Sequence, residues 1–233
     1  MNLLLDLGNT RCKWRCGEAQ GVASSLDALC LQWQDLAAPT QVLACAVGSP
    51  VLQAGIADWI ARQWGLPVLW LSASTSACGV RNRYADPHQL GADRWACALG
   101  ARALFARRDL LIVSAGTALV VDALNADGEF LGGTISPGYR LMKQALATQT
   151  ARLPLAQGRR LAFPDNTQDA IESGCINALC GAILAMQQHL PSAELVITGG
   201  DAALLAANLN SPVHLVDNLA IRGLQALAEE SAQ

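Results

Sequence analysis

Two carboxylates, Asp6 and Asp93, each stand among residues suited to phosphate and hydroxyl chemistry. Asp93 is followed at once by Arg94, where a polar, irregular stretch over 72–90 gives way to an apolar periodic run. A carboxylate there can accept the proton of a substrate hydroxyl while the guanidinium binds a carboxylate or phosphate. The same Asp93 can simply cap a helix, worth ~1 kcal/mol, and both roles stay open. Upstream, Arg81, Asn82, Arg83 and Tyr84 add donors. Asp6 ends the run Leu3, Leu4, Leu5 and leads into Gly8, Asn9 and Thr10. Gly8 lets backbone N–H groups approach an anion, Asn9 and Thr10 add neutral donors, and Asp6 can hold a hydrated Mg2+ beside phosphates. Alone, such residues also make ordinary surface turns.

A second stretch of the same kind follows a hundred residues later. Leu110 to Val113 run into Ser114, Ala115, Gly116 and Thr117, and then into Leu119, Val120 and Val121. The chain thus has two units of strand, Gly/Thr turn and strand. Two hairpins offering Gly and Thr to one polyphosphate resemble the arrangement of the acetate kinase, sugar kinase, Hsp70 and actin superfamily.

These turns need elements to position them. The pattern predicts a first strand on the apolar run Leu3 to Leu5, strands at 11–16, 41–47 and 67–71, and helices at 25–33, 51–64 and 91–107. The segment 72–90 reads as a long loop, of a kind that is usually functional or disordered. After the second hairpin, at 109–124, a turn at 125–128 leads to a strand at 130–135. Pro137 then opens a helix to about 150. Asn166 caps a long apolar helix carrying Gly174 and Gly181, where another backbone is expected to pack close. A strand at 194–198 ends in Gly199 and Gly200, and a helix, a strand at 213–216 and a last helix from Asn218 follow. The alternation argues for an α/β layer structure with its seam near 108, giving lobes 1–108 and 109–233.

The 233 residues are 52% hydrophobic and 15% charged, enough for a substantial core. A net charge of −3 with scattered arginines disfavours nucleic acid and anionic membrane as partners. The eight cysteines lack the spacing and histidine partners of a zinc site, and most sit in apolar periodic segments. They read as core residues of a reduced, cytoplasmic protein with no secretory leader. No uninterrupted apolar stretch reads as long enough to cross a bilayer. There is no GxxxxGK[ST], GxG, GxSxG or HExxH. His88, His189 and His214 are given no catalytic role.

Seven short motifs in register then carry a closer resemblance: DLGNT at 6–10, RNRY at 81–84, GADRW at 91–95, GTA at 116–118, GGTISPG at 132–138, NT at 166–167 with ESG at 172–174, and TGGD at 198–201. In order and spacing the chain resembles the type III pantothenate kinases, and among them the branch called Bvg accessory factor, some of whose members are described as transcriptional helpers. The resemblance implies two ribonuclease-H-like lobes, each a mixed sheet flanked by helices, in a homodimer. It also implies transfer of the ATP γ-phosphate to the primary hydroxyl of pantothenate, the first step toward coenzyme A. By the same resemblance Asp6, Leu7, Gly8, Asn9, Thr10, Arg11, Cys12 and Lys13 match the first phosphate segment, and Gly116 and Thr117 the second. Gly199 and Gly200 match the nucleotide-side glycines. Asp93 matches the general base, Gly91, Ala92, Asp93 and Arg94 the pantothenate-binding turn, and Tyr84 and Thr167 further pantothenate contacts. ATP and Mg2+ are the implied cofactors. The family also uses a monovalent cation, K+ or NH4+, but Ser114 stands where an aspartate usually helps to hold it. That departure favours a rival reading, a non-catalytic regulator that keeps the fold, while Asp6 and Asp93 favour the enzyme. A kinase or hydrolase of the same superfamily with another small substrate is the third reading.

Overall fold

The computed structural model describes residues 1–231 and resolves them into two compact units. The chain passes between them four times. Unit 1 takes Met1–Arg107, Asp127–Phe130 and the segment from Asn218, and unit 2 takes Arg108–Ala126 and Leu131–Asp217.

Unit 1 is built on a five-stranded sheet. Its strands are β1 (Asn2–Leu7), β2 (Cys12–Cys16), β3 (Ala19–Ala23), β4 (Gln41–Ala46) and β5 (Val68–Trp70), in the order β3-β2-β1-β4-β5. β1 pairs antiparallel with β2 and parallel with β4. Side chains alternate across a sheet, so β1 divides its residues between two faces. Leu3, Leu5 and Leu7 enter a core with Leu29 and Trp33 of α1 (Leu26–Trp33) and Ile56 and Ile60 of α2 (Pro50–Trp64). Leu4 and Asp6 take the other face. There the sheet meets α3 (Ala92–Leu104) and α7 (Leu219–Glu230), which also pack extensively on each other. Ser25 caps α1 as expected, its hydroxyl accepting from the Ala28 N–H at 3.3 Å. Trp14, Trp33, Trp59 and Trp64 interlock with ring centroids 5.0–6.3 Å apart.

The segment 72–90 is not a structureless loop. It holds two short strands, β6 (Ser76–Ala77) and β7 (Val80–Asn82), and a 3-10 turn at Pro87–Gln89. β7 finds its partner far away in sequence, at Glu129 and Phe130, the start of β10 (Glu129–Pro137).

Unit 2 holds β8 (Leu110–Ala115), β9 (Ala118–Leu124), the rest of β10, β11 (Glu194–Thr198) and β12 (Val213–Leu215), in the order β12-β11-β8-β9-β10. β8 and β9 form the expected hairpin, and β11 adds parallel to β8. The helices are α4 (Tyr139–Gln149), α5 (Thr167–His189) and the short α6 (Ala202–Ala206). Pro137 ends β10 instead of opening α4, whose N-cap is Gly138. Asn166 caps α5, its side chain accepting from the Asp169 N–H at 3.0 Å.

Two readings of α5 change. A Cβ added at Gly174 or Gly181 would meet nothing within 4 Å, so neither glycine marks a close backbone approach within this chain. At 23 residues α5 is also long and apolar enough, by length and composition, to cross a membrane, although no such stretch was expected. Half of its apolar window is buried inside the protein, with Ile176, Leu179 and Ile183 packed into the unit 2 core. α4 is tied to α5 by a partly buried polar triad. Lys143 Nζ donates to Glu172 Oε2 at 2.8 Å and to the Tyr139 hydroxyl at 2.9 Å, and that hydroxyl is also hydrogen-bonded to Glu172.

Candidate functional site

In unit 1 the β1–β2 turn, the end of β4 and the start of α3 come together. Gly8 N–H donates to the Arg11 carbonyl at 3.1 Å and closes the turn. Gly48 lies so close that a Cβ there would overlap the Gly8 carbonyl. Strand alternation sorts the residues of the first phosphate segment. Leu7 and Cys12 are paired in register and buried in the α1/α2 core, so only their backbone is open to a ligand. Asn9, Thr10 and Arg11 are exposed on the turn. Asp6 and Lys13, also paired, lie on the face that meets α3. Burial raises the Asp6 pKa most. Lys13 and a hydrogen bond from the Cys45 thiol pull it down, and nearby Asp93 pushes it up. The Cys45 thiol itself is pushed well above its usual range, by burial first and then by Asp6.

α3 begins at Ala92, with Gly91 as its N-cap residue and no side-chain cap. Asp93 is therefore not the N-cap. One of its oxygens, Oδ1, accepts from the Arg94 N–H at 2.8 Å and so serves the helix start. The Arg94 side chain is buried and turned to Tyr84, to whose hydroxyl Nη1 donates at 2.9 Å. Its guanidinium carbon lies 5.7 Å from the Tyr84 ring centroid and 5.8 Å from that of Phe130, a stacking geometry worth roughly 0.5–1 kcal/mol per ring. Arg81 and Arg83 instead pair with Glu129, at 3.1 and 3.7 Å. The Asn82 amide donates to the Pro87 carbonyl, and its side-chain oxygen accepts from the Tyr84 N–H. The RNRY stretch thus anchors its own loop and presents Tyr84.

In unit 2 a second set assembles around the β8–β9 turn. Gly116 and Thr117 are exposed at its tip, and Gly116 N–H donates to the Ala118 carbonyl at 3.0 Å. Gly138 rests on this turn, its N–H donating to the Thr117 carbonyl at 2.9 Å, and a Cβ there would overlap the Gly116 carbonyl. Gly199 has φ +105° and lies against the Ala115 backbone, so a side chain is barred by both conformation and space. The Ala115 carbonyl also accepts from the Asp201 N–H at 3.1 Å. Gly116, Thr117, Gly199 and Gly200 are thus brought together. Ser114 lies on the strand leading into the turn, paired in register with Val120 and Thr198. Thr167 is the exposed first residue of α5.

Sequence reasoning missed Cys45, Gly48, Phe130 and Gly138. Only Gly138 carried a signal, as the glycine of the motif SPG. Among the described residues no group of three or more His, Cys, Asp or Glu side chains could cage a metal. All eight cysteines are free thiols, and His214 belongs to a surface network with Glu194 and Arg108.

Paired Gly/Thr turns on mixed sheets define an actin-like kinase fold, and comparison with solved structures agrees. A proposed Baf family transcriptional activator from Campylobacter jejuni superposes with a TM-score of 0.62 at 22% identity, covering 99% of this chain and 98% of that one. The activator of the 2-hydroxyisocaproyl-CoA dehydratase from Clostridium difficile, solved with ADPNP, gives 0.57 at 12% identity, covering 99% and 96%. At such identities the likeness speaks for the fold alone. Residues 2–189 match the sequence model of the type III pantothenate kinases. A type III pantothenate kinase from Aromatoleum aromaticum is 47% identical over 100% of this chain and 99% of its own length. The chain belongs to the type III pantothenate kinase family.

Proposed function

We propose that the protein phosphorylates pantothenate with ATP, giving 4′-phosphopantothenate. Full-length similarity to type III pantothenate kinases carries this reading. The retention of Asp6, Asp93, both Gly/Thr turns and Gly199 supports it. In the proposed mechanism the Gly8 and Gly116 N–H groups close the two turns, and the backbone N–H groups of 9–11 and 117 and the hydroxyls of Thr10 and Thr117 bind phosphate oxygens, with Gly199 and Gly200 on the nucleotide side. Lys13 adds positive charge. Tyr84, Gly91, Ala92, Arg94 and Thr167 hold pantothenate, whose carboxylate suits the Arg94 guanidinium. Asp93 Oδ1 is engaged by the helix start, leaving Oδ2 to accept the hydroxyl proton. Phosphoryl transfer asks for positioning and charge neutralisation, and no nucleophilic side chain is required.

Among the described residues no cage of three or more ligating side chains surrounds Asp6, and its carboxylate would hold a Mg2+ that comes with the nucleotide. When bound, Mg2+ neutralises phosphate charge. Ser114 brings no charge to a monovalent cation, so K+ or NH4+ plays little part in this reading. The homodimer belongs to the same proposal. The exposed side of α5 carries Ala170, Gly174, Ala178 and Gly181, beside a largely apolar cavity of about 980 Å³ and a 95% exposed Phe163. An apolar face of that kind fits a second copy of the chain. The cytoplasm is the proposed compartment, in keeping with eight free thiols.

The test is purified protein with ATP, Mg2+ and pantothenate, assayed for 4′-phosphopantothenate. Product formation supports the enzyme. ATP binding without turnover on any small alcohol supports the regulator, and turnover on another substrate alone supports a related kinase.

A further inference from the structure

The residue that sets the geometry of Asp6 is on the next strand. In the parallel register of β1 and β4, Asp6 stands opposite Cys45, and on its other side, across β2, it stands opposite Lys13. Directly opposed residues share a face of the sheet, so the carboxylate lies between a lysine side chain and a thiol. Cys45 is wholly buried, and its Sγ donates to Asp6 Oδ1 at 3.6 Å. Oδ2 takes part in no hydrogen bond or ion pair among the described residues. A carboxylate with one oxygen tied cannot spin freely about its Cβ–Cγ bond. The tie therefore leaves Oδ2 as the oxygen without a protein partner among the described residues.

We propose that Cys45 is a positioning residue: its thiol holds Asp6 Oδ1 so that Oδ2 is the oxygen presented to the Mg2+ of the bound nucleotide. This rests on the reading of Asp6 as the carboxylate on the Mg2+–phosphate side. Three features single out Cys45 for the task. It is opposite Asp6 in register, so the contact is fixed by strand pairing and not by a flexible loop. It is a neutral donor and adds no charge to compete with the metal. Its S–H bond is long and weak, so it orients the carboxylate without withdrawing much of its electron density. A serine hydroxyl at the same place keeps a neutral donor, on a shorter Cβ–O bond that the Asp6 side chain must shift to meet, whereas alanine or valine would not donate at all.

The test measures nucleotide binding calorimetrically, with a non-hydrolysable ATP analogue, once with Mg2+ and once with chelator. Wild type is compared with Cys45→Ser, Cys45→Ala and Cys45→Val, valine filling the space without a donor. Losing one modest hydrogen bond that orders the carboxylate should weaken the Mg2+-dependent affinity of the Ala and Val variants about threefold to tenfold. Their Mg2+-free affinity and their KM for pantothenate should stay within about twofold of wild type, and Ser should recover most of the Mg2+-dependent affinity. The proposal is overturned if Val binds Mg2+–nucleotide like wild type, if Ser is as impaired as Ala, or if losses are equal with and without Mg2+. Because binding is read without pantothenate, failure of the pantothenate assay leaves this test standing, and failure here leaves the kinase reading standing.

Discussion

Asp93→Asn separates the two roles that its position allows, because the structure assigns them to different magnitudes. Asn keeps a side-chain oxygen where Asp93 Oδ1 accepts from the Arg94 N–H at 2.8 Å, so the local hydrogen bond at the start of α3 survives. What folding loses is one negative charge in the first helical turn, worth roughly 0.3–1 kcal/mol. In a domain of this size that lowers Tm by at most about 4 °C. In the proposed mechanism catalysis loses its proton acceptor, typically about 100-fold to 10,000-fold. That corresponds to roughly 2.7–5.4 kcal/mol on the barrier. The two effects differ several-fold in energy and are read by different instruments. We expect kcat for 4′-phosphopantothenate formation to fall by at least about two orders of magnitude. The melting temperature and the nucleotide Kd should barely change. A variant with wild-type kcat and a lowered Tm would show that Asp93 only serves the helix.

Three further outcomes are expected. Ser114→Asp should introduce K+ activation when K+ is exchanged for a bulky organic cation at constant ionic strength, whereas the wild type should respond little. Strong K+ activation of the wild type, unchanged by the substitution, would refute the charge argument. Glu172→Gln leaves the Lys143 ammonium, whose side chain is only 13% exposed, without its carboxylate partner. It should destabilise the protein by ~3 kcal/mol in urea titration, and adding Lys143→Met should recover part of the loss. A variant with an unchanged midpoint would sink that estimate. Asp169 accepts from the Arg159 N–H at 2.7 Å and the Asn166 amide at 2.9 Å, the first being the larger cause of its lowered pKa. A depressed folded-state pKa stabilises above the unfolded carboxylate pKa and is lost as pH falls through the folded one. The stability gap between wild type and Asp169→Asn should therefore be full near about pH 7 and close in strong acid. A pH-independent gap would mean that packing is responsible.

Most of what builds the two turns could be read along the chain, because it is local. The run Leu3 to Leu5 ending at Gly8 and the run Leu110 to Val113 ending at Gly116 both became strands entering turns, and Ser25 and Asn166 became the helix caps their side chains suit. What escaped depends on pairing between distant segments. Nothing near Cys45 in sequence announces that it will stand opposite Asp6, since register is settled by which strands meet. The stretch 72–90 looked irregular because β6 and β7 are only two and three residues long and β7 needs Glu129 and Phe130 as its template. Gly174 and Gly181 misled for a related reason. A helical glycine says only that a side chain is absent, and within this chain both lie on the exposed side of α5, the side proposed for a second copy. Phe130 read as one more strand residue, and only the fold reveals the Arg94 guanidinium beside its ring.

The interlocked indoles give the protein an optical asymmetry. All six tryptophans, Trp14, Trp33, Trp59, Trp64, Trp70 and Trp95, fall in unit 1, and unit 2 has none. Intrinsic indole emission therefore originates in unit 1 alone, and so does any exciton signal from the four coupled rings. Far-ultraviolet dichroism, by contrast, sums the backbone of both units. If the two units unfold as one cooperative system, the emission and dichroism curves superimpose. If they do not, the interval between the curves is the separate stability of unit 2, measured without introducing a probe.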